Sequence, residues 1–203
     1  MKTHSLYRAA AVTLVLSAVL TLSGFLAHPP VDPGEMTSAV WQVSHLVLWI
    51  GGAAGVMGLA GLYLRHRMEA GLLGTIGAAL ATLGLLALTG AYYYEAVIVP
   101  TLAMEAPTRV TSFPGGDAWA TYRMTIAASS IAAGLGIVLL GMALLRTRLP
   151  SWAIVAAAIG GLGTGIQFIP PRPVSLGAVA LLALGLVGLG SGLWNSAPTP
   201  QPG

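Results

Sequence analysis

HLVLWIGGAAGVMGLAGLYLRHR, residues 45–67, decides the fold. From Leu46 to Leu64 it runs 19 residues without a charge. At about 1.5 Å per residue a helix of that length nearly crosses the roughly 30 Å hydrocarbon layer of a bilayer. It stops on Arg65 and Arg67, cations that hold a helix end at the membrane surface. Within it Gly51 and Gly55, and Ala54 and Gly58, stand four residues apart. This small-xxx-small spacing lets helix backbones approach closely in lipid.

The same design recurs along the chain. Spans are expected at about 7–27, 37–64, 70–98, 118–145, 151–169 and 174–194. Pro29, Pro30, Pro33, Pro100, Pro107, Pro114, Pro150, Pro170, Pro171 and Pro173 fall at or between those span ends. There the missing N–H and the clash with the preceding turn cost least. The composition agrees. Of 203 residues, 56% are hydrophobic and 7% charged, against about 25% charged in soluble domains, and the mean hydropathy is +0.82. So few charges cannot cover a water-soluble ball, and disorder is excluded for the same reason. The fold class expected is all-α: a polytopic transmembrane bundle of six helices. Residues 1–196 form a single transmembrane domain, followed by a disordered, cytoplasmic, Pro-rich tail at 197–203. The first apolar run, about 20 residues, exceeds the usual 7–15 of a signal-peptide core. It reads as a retained helix.

Charge sets the orientation. Lys2, Arg8, Arg65, Arg67, Arg146 and Arg148 fall on one side of six crossings, and Arg109, Arg123 and Arg172 on the other. The positive-inside rule places both termini in the cytoplasm, in the cell inner (plasma) membrane. The isoelectric point of 9.6 is thus a topology signal and not a nucleic-acid footprint. The partners expected are the lipid bilayer and, beyond it, a second copy of the chain or another membrane protein. The many small-residue pairs, spread over several helices, read as packing within the bundle rather than as a dimer seam.

Chemistry is sparse. The chain has no Cys, which removes disulfides and thiolate sites. Of four His only His45 lies well inside a span, so two axial haem ligands are not on offer. His-Glu-x-x-His is absent, and no His follows the Gly190-Ser191-Gly192 stretch that a rhomboid-like protease would need. No cofactor and no metal are implied. What remains is a layer of polar residues in the outer third of the spans: His45 about 12 Å deep, Glu95, Arg123, Gln167, and Gln42 one turn from His45. Polar groups are expensive in a membrane and default to functional hypotheses. These five residues are the candidate ligand-binding set, with Glu95 expected to pair with Arg123. The competing reading is an interfacial belt, because Trp41, Tyr92, Tyr93, Tyr94, Trp119 and Tyr122 lie at the same level.

Residues 61–103, GLYLRHRMEAGLLGTIGAALATLGLLALTGAYYYEAVIVPTLA, resemble a group of uncharacterised bacterial multi-pass membrane proteins. The resemblance rests on Tyr63, Arg65, Gly71, Tyr94, Glu95, Ala96, Val99 and Pro100. It implies a membrane protein and carries over no substrate or cofactor. The function expected is a non-enzymatic integral membrane protein, an accessory or sensing subunit. The alternative is a small transporter or channel with an outward-facing pocket of His45, Glu95 and Arg123. An enzyme would need a nucleophile or redox centre, and the sequence offers neither.

Topology is directly checkable. Reporter fusions after Pro33 and after Pro107 should read outside, and fusions after Arg67 and Arg148 inside. A first segment missing from the mature protein would leave five crossings.

Overall fold

The computed structural model describes residues 3–31, 34–106, 117–166 and 171–196. Among them all regular structure is helical: α1 (Thr3–Ala27), a 3-10 turn (Glu35–Thr37), α2 (Ala39–Glu105), α3 (Asp117–Leu144), α4 (Ser151–Gly165) and α5 (Arg172–Ser196). Four of these helices are long and apolar enough to cross a membrane, and α4 is a shorter apolar helix. Their outward faces expose large apolar side chains such as Met57, Leu72, Leu83 and Leu184. A surface of that kind suits lipid and not water. The tail at 197–203 and the loop at 107–116 lie outside the described residues.

At 67 residues, α2 would be about 100 Å long if straight, over three times the hydrocarbon thickness. It is not straight. Gly71 has φ 58° and ψ −154°, a backbone region open essentially to glycine alone. The chain reverses there into two antiparallel arms, 39–70 and 72–105. Tyr63 Oη meets Thr75 Oγ1 at 2.8 Å near the reversal, and Trp41 Nε1 donates to Glu95 O at 2.8 Å at the far end. The sequence reading places a loop at 65–69 and the end of a span at Pro100. Instead, residues 65–69 stay helical and Pro100 lies inside α2. Arg, Met and Glu are good helix formers, so a polar stretch alone does not end a helix, and one glycine suffices to turn the chain. Similarly, the span expected to reach Ile169 ends as a helix at Gly165, about 22 Å long.

Glycine sets the packing. An added Cβ at Gly51, Gly55 or Gly58 would meet Thr21 Oγ1 at 3.0 Å, Ser17 Oγ at 2.8 Å or Leu14 Cγ at 2.7 Å. The first arm of α2 therefore lies directly on α1, as the four-residue spacing anticipates. On the second arm, Gly77 and Gly84 face the backbone of α3 at Leu140 and Ala133, and Gly136 of α3 faces the backbone of Ala81. Gly134 meets Gly161 between α3 and α4, Gly160 meets Leu182 between α4 and α5, and Gly190 meets Ala11 between α5 and α1. Each helix thus touches its chain neighbours and the last returns to the first, which closes a ring. Leu14, Leu62, Leu140, Leu144, Ile154 and Leu193, all fully buried, fill its centre.

Three alanine replacements separate the physical causes. Gly136→Ala should destabilise by about 1–3 kcal/mol through collision with the α2 backbone. Gly71→Ala has nothing within 4 Å of the new methyl, yet should cost about 1–3 kcal/mol through backbone strain alone. Gly90→Ala also meets open space and has no positive φ. It should be neutral or stabilising by up to about 1 kcal/mol. Thermal unfolding in detergent reads all three.

Candidate functional site

The two arms of α2 meet α1, α3 and α5 at the end of the bundle remote from Arg65 and Arg67, and the polar groups gather there. Ser38 caps the first arm, its hydroxyl accepting from Trp41 N at 3.1 Å, which satisfies one of the free N–H groups of the first turn. Trp41 follows at once and is buried. Its indole N–H reaches Glu95 O on the second arm. That carbonyl is one residue before Ala96, whose own carbonyl loses its helical donor to Pro100. One turn on from Trp41 stands His45, 1% exposed. Its Nδ1 donates to Trp41 O at 2.7 Å, and Ser44 Oγ donates to the same carbonyl at 2.9 Å. Trp41 therefore fixes both partners of the contact beyond: the ring orientation of His45 through its carbonyl, and the backbone of Glu95 through its indole.

That contact is His45 Nε2 to Glu95 Oε2 at 3.0 Å. The approach is that of an ion pair and not of an aligned hydrogen bond. A carbonyl only accepts, so His45 Nδ1 carries a hydrogen. Nε2 is thereby left as the ring atom turned toward the Glu95 carboxyl.

Three further residues complete the centre. The His28 ring, at the end of α1, stands edge-on to His45 with centroids 4.7 Å apart, and 5.4 Å from Trp41. Its Nδ1 is held by Pro29 O at 2.6 Å, and its own carbonyl accepts from Arg172 Nη2 of α5 at 2.7 Å. Tyr122 of α3 brings its hydroxyl against the Glu95 carboxyl and packs on Tyr94 with centroids 5.4 Å apart. His28 lies just past the apolar segment Ser5–Ala27. Burial, and then the neighbouring His45, hold its pKa below the ordinary 6.5, although Pro29 O and Glu95 pull partly the other way.

Of the residues singled out in the sequence, the structure brings together His45 and Glu95. Arg123 does not take the expected place beside Glu95: it is exposed on α3, and the ion pair Glu95 makes among the described residues is with His45. The reason is azimuth. Arg123 and Tyr122 share a depth, but successive helix residues point about 100° apart, and Tyr122 holds the inward position. Gln42 is half-buried, and its side chain makes no hydrogen bond among the described residues. Gln167 lies outside the described residues. His28 was missed because it sits beyond the last apolar residue of its span. The signal was its place before Pro29-Pro30, at the same boundary as the others. Trp41 and Tyr122 read as belt aromatics, yet each contacts a member of the pair.

Among the described residues no three His, Asp or Glu side chains group as metal ligands. No protein-family model, no curated protein and no solved structure matches the chain.

If His45 and Glu95 act as a unit, His45→Gln and Glu95→Gln should be non-additive, with a coupling of about 0.5–3 kcal/mol in a double-mutant thermal cycle. Arg123→Gln combined with Glu95→Gln should be additive. Trp41→Phe, which keeps a ring but removes the indole donor, should cost about 1–3 kcal/mol by leaving Glu95 O short of a partner.

Proposed function

We propose that the chain is a six-span protein of the bacterial plasma membrane, with both termini cytoplasmic, which serves as a non-enzymatic sensing subunit for external acidity. The observation that carries this reading is the buried His45–Glu95 contact with His28 edge-on beside it. His45 lies on the Glu95 carboxyl and His28 stands against His45, so acidification adds positive charge where Glu95 is the one carboxylate facing them among the described residues. His is the side chain whose charge changes nearest neutral pH.

The six crossings are the two arms of α2 together with α1, α3, α4 and α5. The orientation follows from Arg8, Arg65, Arg146 and Arg148, which belong to one end of the ring, while the His–Glu centre belongs to the other. Transport is the weaker reading. Transporters place polar sites and broken helices near the midplane. Here the middle of the ring is closed by glycine contacts and leucine, with Ser17, Thr89 and Ser130 as its buried polar side chains.

Among the described residues the titratable and charged groups facing His28 are His45 from the first arm, Glu95 from the second and Arg172 from α5. Its pKa is lower in the folded protein than in the unfolded chain. The unfolded chain therefore binds more protons as pH falls through and below 6.5, and the His28 contribution to stability is full above that value and lost on acidification. Protection factors for amide exchange, corrected for the intrinsic pH dependence of the rate, should fall at residues 34–45 and 94–106 between about pH 7 and pH 5. His28→Asn should flatten that profile and His45→Gln should shift it. A flat profile in the unaltered protein would sink the sensing reading, as would proton-coupled solute uptake by liposomes carrying it.

A further inference from the structure

The opposite end of the ring holds two arginines that the His–Glu centre does not explain. The Arg8 guanidinium lies over the Trp194 ring, 5.1 Å from its centroid, and that of Arg65 lies 5.7 Å from the Tyr7 ring. Arg65 Nη2 makes a long contact, 3.4 Å, to Ser196 O. The Nε of each arginine is buried and has no hydrogen-bond partner. Neither meets a carboxylate: the ion pairs among the described residues are His45–Glu95 and His66–Glu69. Two half-buried arginines with no carboxylate partner among the described residues, at the level where a helix bundle meets lipid headgroups, call for an anion.

Beside them the ring opens outward. A groove runs between α1 and α5, lined by Val12, Val15, Leu16, Val19 and Gly190, and Trp194 forms one end. Val12 and Val19 are more than half exposed. The floor of the groove is the close approach of α5 to α1 at Gly190, where a Cβ would meet Ala11 O at 2.9 Å and Val15 Cγ2 at 3.0 Å. From Val12 to Val19 it is about 10 Å long, and the ring that carries Arg8 closes it. An apolar groove that ends at Trp194, with Arg8 stacked on that ring and Arg65 reaching Ser196 O nearby, matches one class of molecule in its surroundings.

We infer that this groove is a binding site for one anionic phospholipid, with an acyl chain along α1 and α5 and the phosphate on Arg8 and Arg65. The site is independent of the acidity reading, because neither His45 nor Glu95 lines it.

The test uses the full chain in nonionic detergent, with Tm followed during titration with phosphatidylglycerol, phosphatidylcholine of the same chains, or inorganic phosphate. Phosphatidylglycerol should raise Tm saturably, and the other two should not. Arg8→Gln should weaken the apparent affinity about fivefold, and Arg8→Gln with Arg65→Gln about thirtyfold, at roughly 1 kcal/mol per cation near the surface. Ser191 also lines the groove, so Ser191→Leu keeps both arginines but fills it, and should abolish the response. Equal stabilisation by phosphatidylcholine, the same shift from inorganic phosphate alone, or an unchanged response in Ser191→Leu would each overturn the site.

Discussion

Apolar side chains gain nothing by leaving lipid for the inside of a bundle, because both surroundings are hydrocarbon. What remains to hold these helices is contact between backbones, and the chain obtains it by omitting side chains. Gly77, Gly84 and Gly136 bring α2 and α3 together at backbone distance, and Gly160 does the same for α4 and α5. The ring closes through such contacts, and the remaining features follow from its closure. Once the helices are fixed at this spacing, one end must accommodate Trp41, His45, Glu95 and Tyr122, and the other Tyr7, Arg8, Arg65 and Trp194. The two polar ends are consequences of the glycine-lined middle.

The helices were legible in the sequence because hydropathy and length report directly on them, and Gly51, Gly55 and Gly58 announced their partner face by spacing. The reversal was legible as a break between the spans ending at 64 and starting at 70, but its exact place was not: it falls on one backbone torsion at Gly71, after residues 65–69 have stayed helical. The candidate site was half legible. Depth along a span can be counted, so His45 and Glu95 were found. Direction around a helix cannot be counted without knowing the neighbour, so Arg123 was placed beside Glu95 where Tyr122 stands. His28 was discounted for lying outside its span, although the edge of a span is where an imidazole meets least resistance.

Trp41 shows how much positioning one aromatic residue can supply in a membrane protein. Its ring satisfies the apolar surroundings, its indole N–H braces the opposite arm, and its carbonyl gathers His45 and Ser44. A histidine oriented in this way has its tautomer set before any partner arrives. Nε2 is left facing a carboxyl whose backbone Trp41 has also placed.

The hairpin of α2 also has a temporal side. Its contacts nest around Gly71, from Tyr63–Thr75, 12 residues apart, out to Trp41–Glu95, 54 residues apart. The entropic cost of closing a loop grows with its length, so the short contact forms most cheaply and each one formed shortens the gap for the next. By loop length alone the cheapest order is from the turn outward, with the Trp41–Glu95 bond the costliest to close first. The polar centre is therefore assembled only on a hairpin that is already in register, and an arm that slipped by a single residue would never bring His45 and Glu95 into contact.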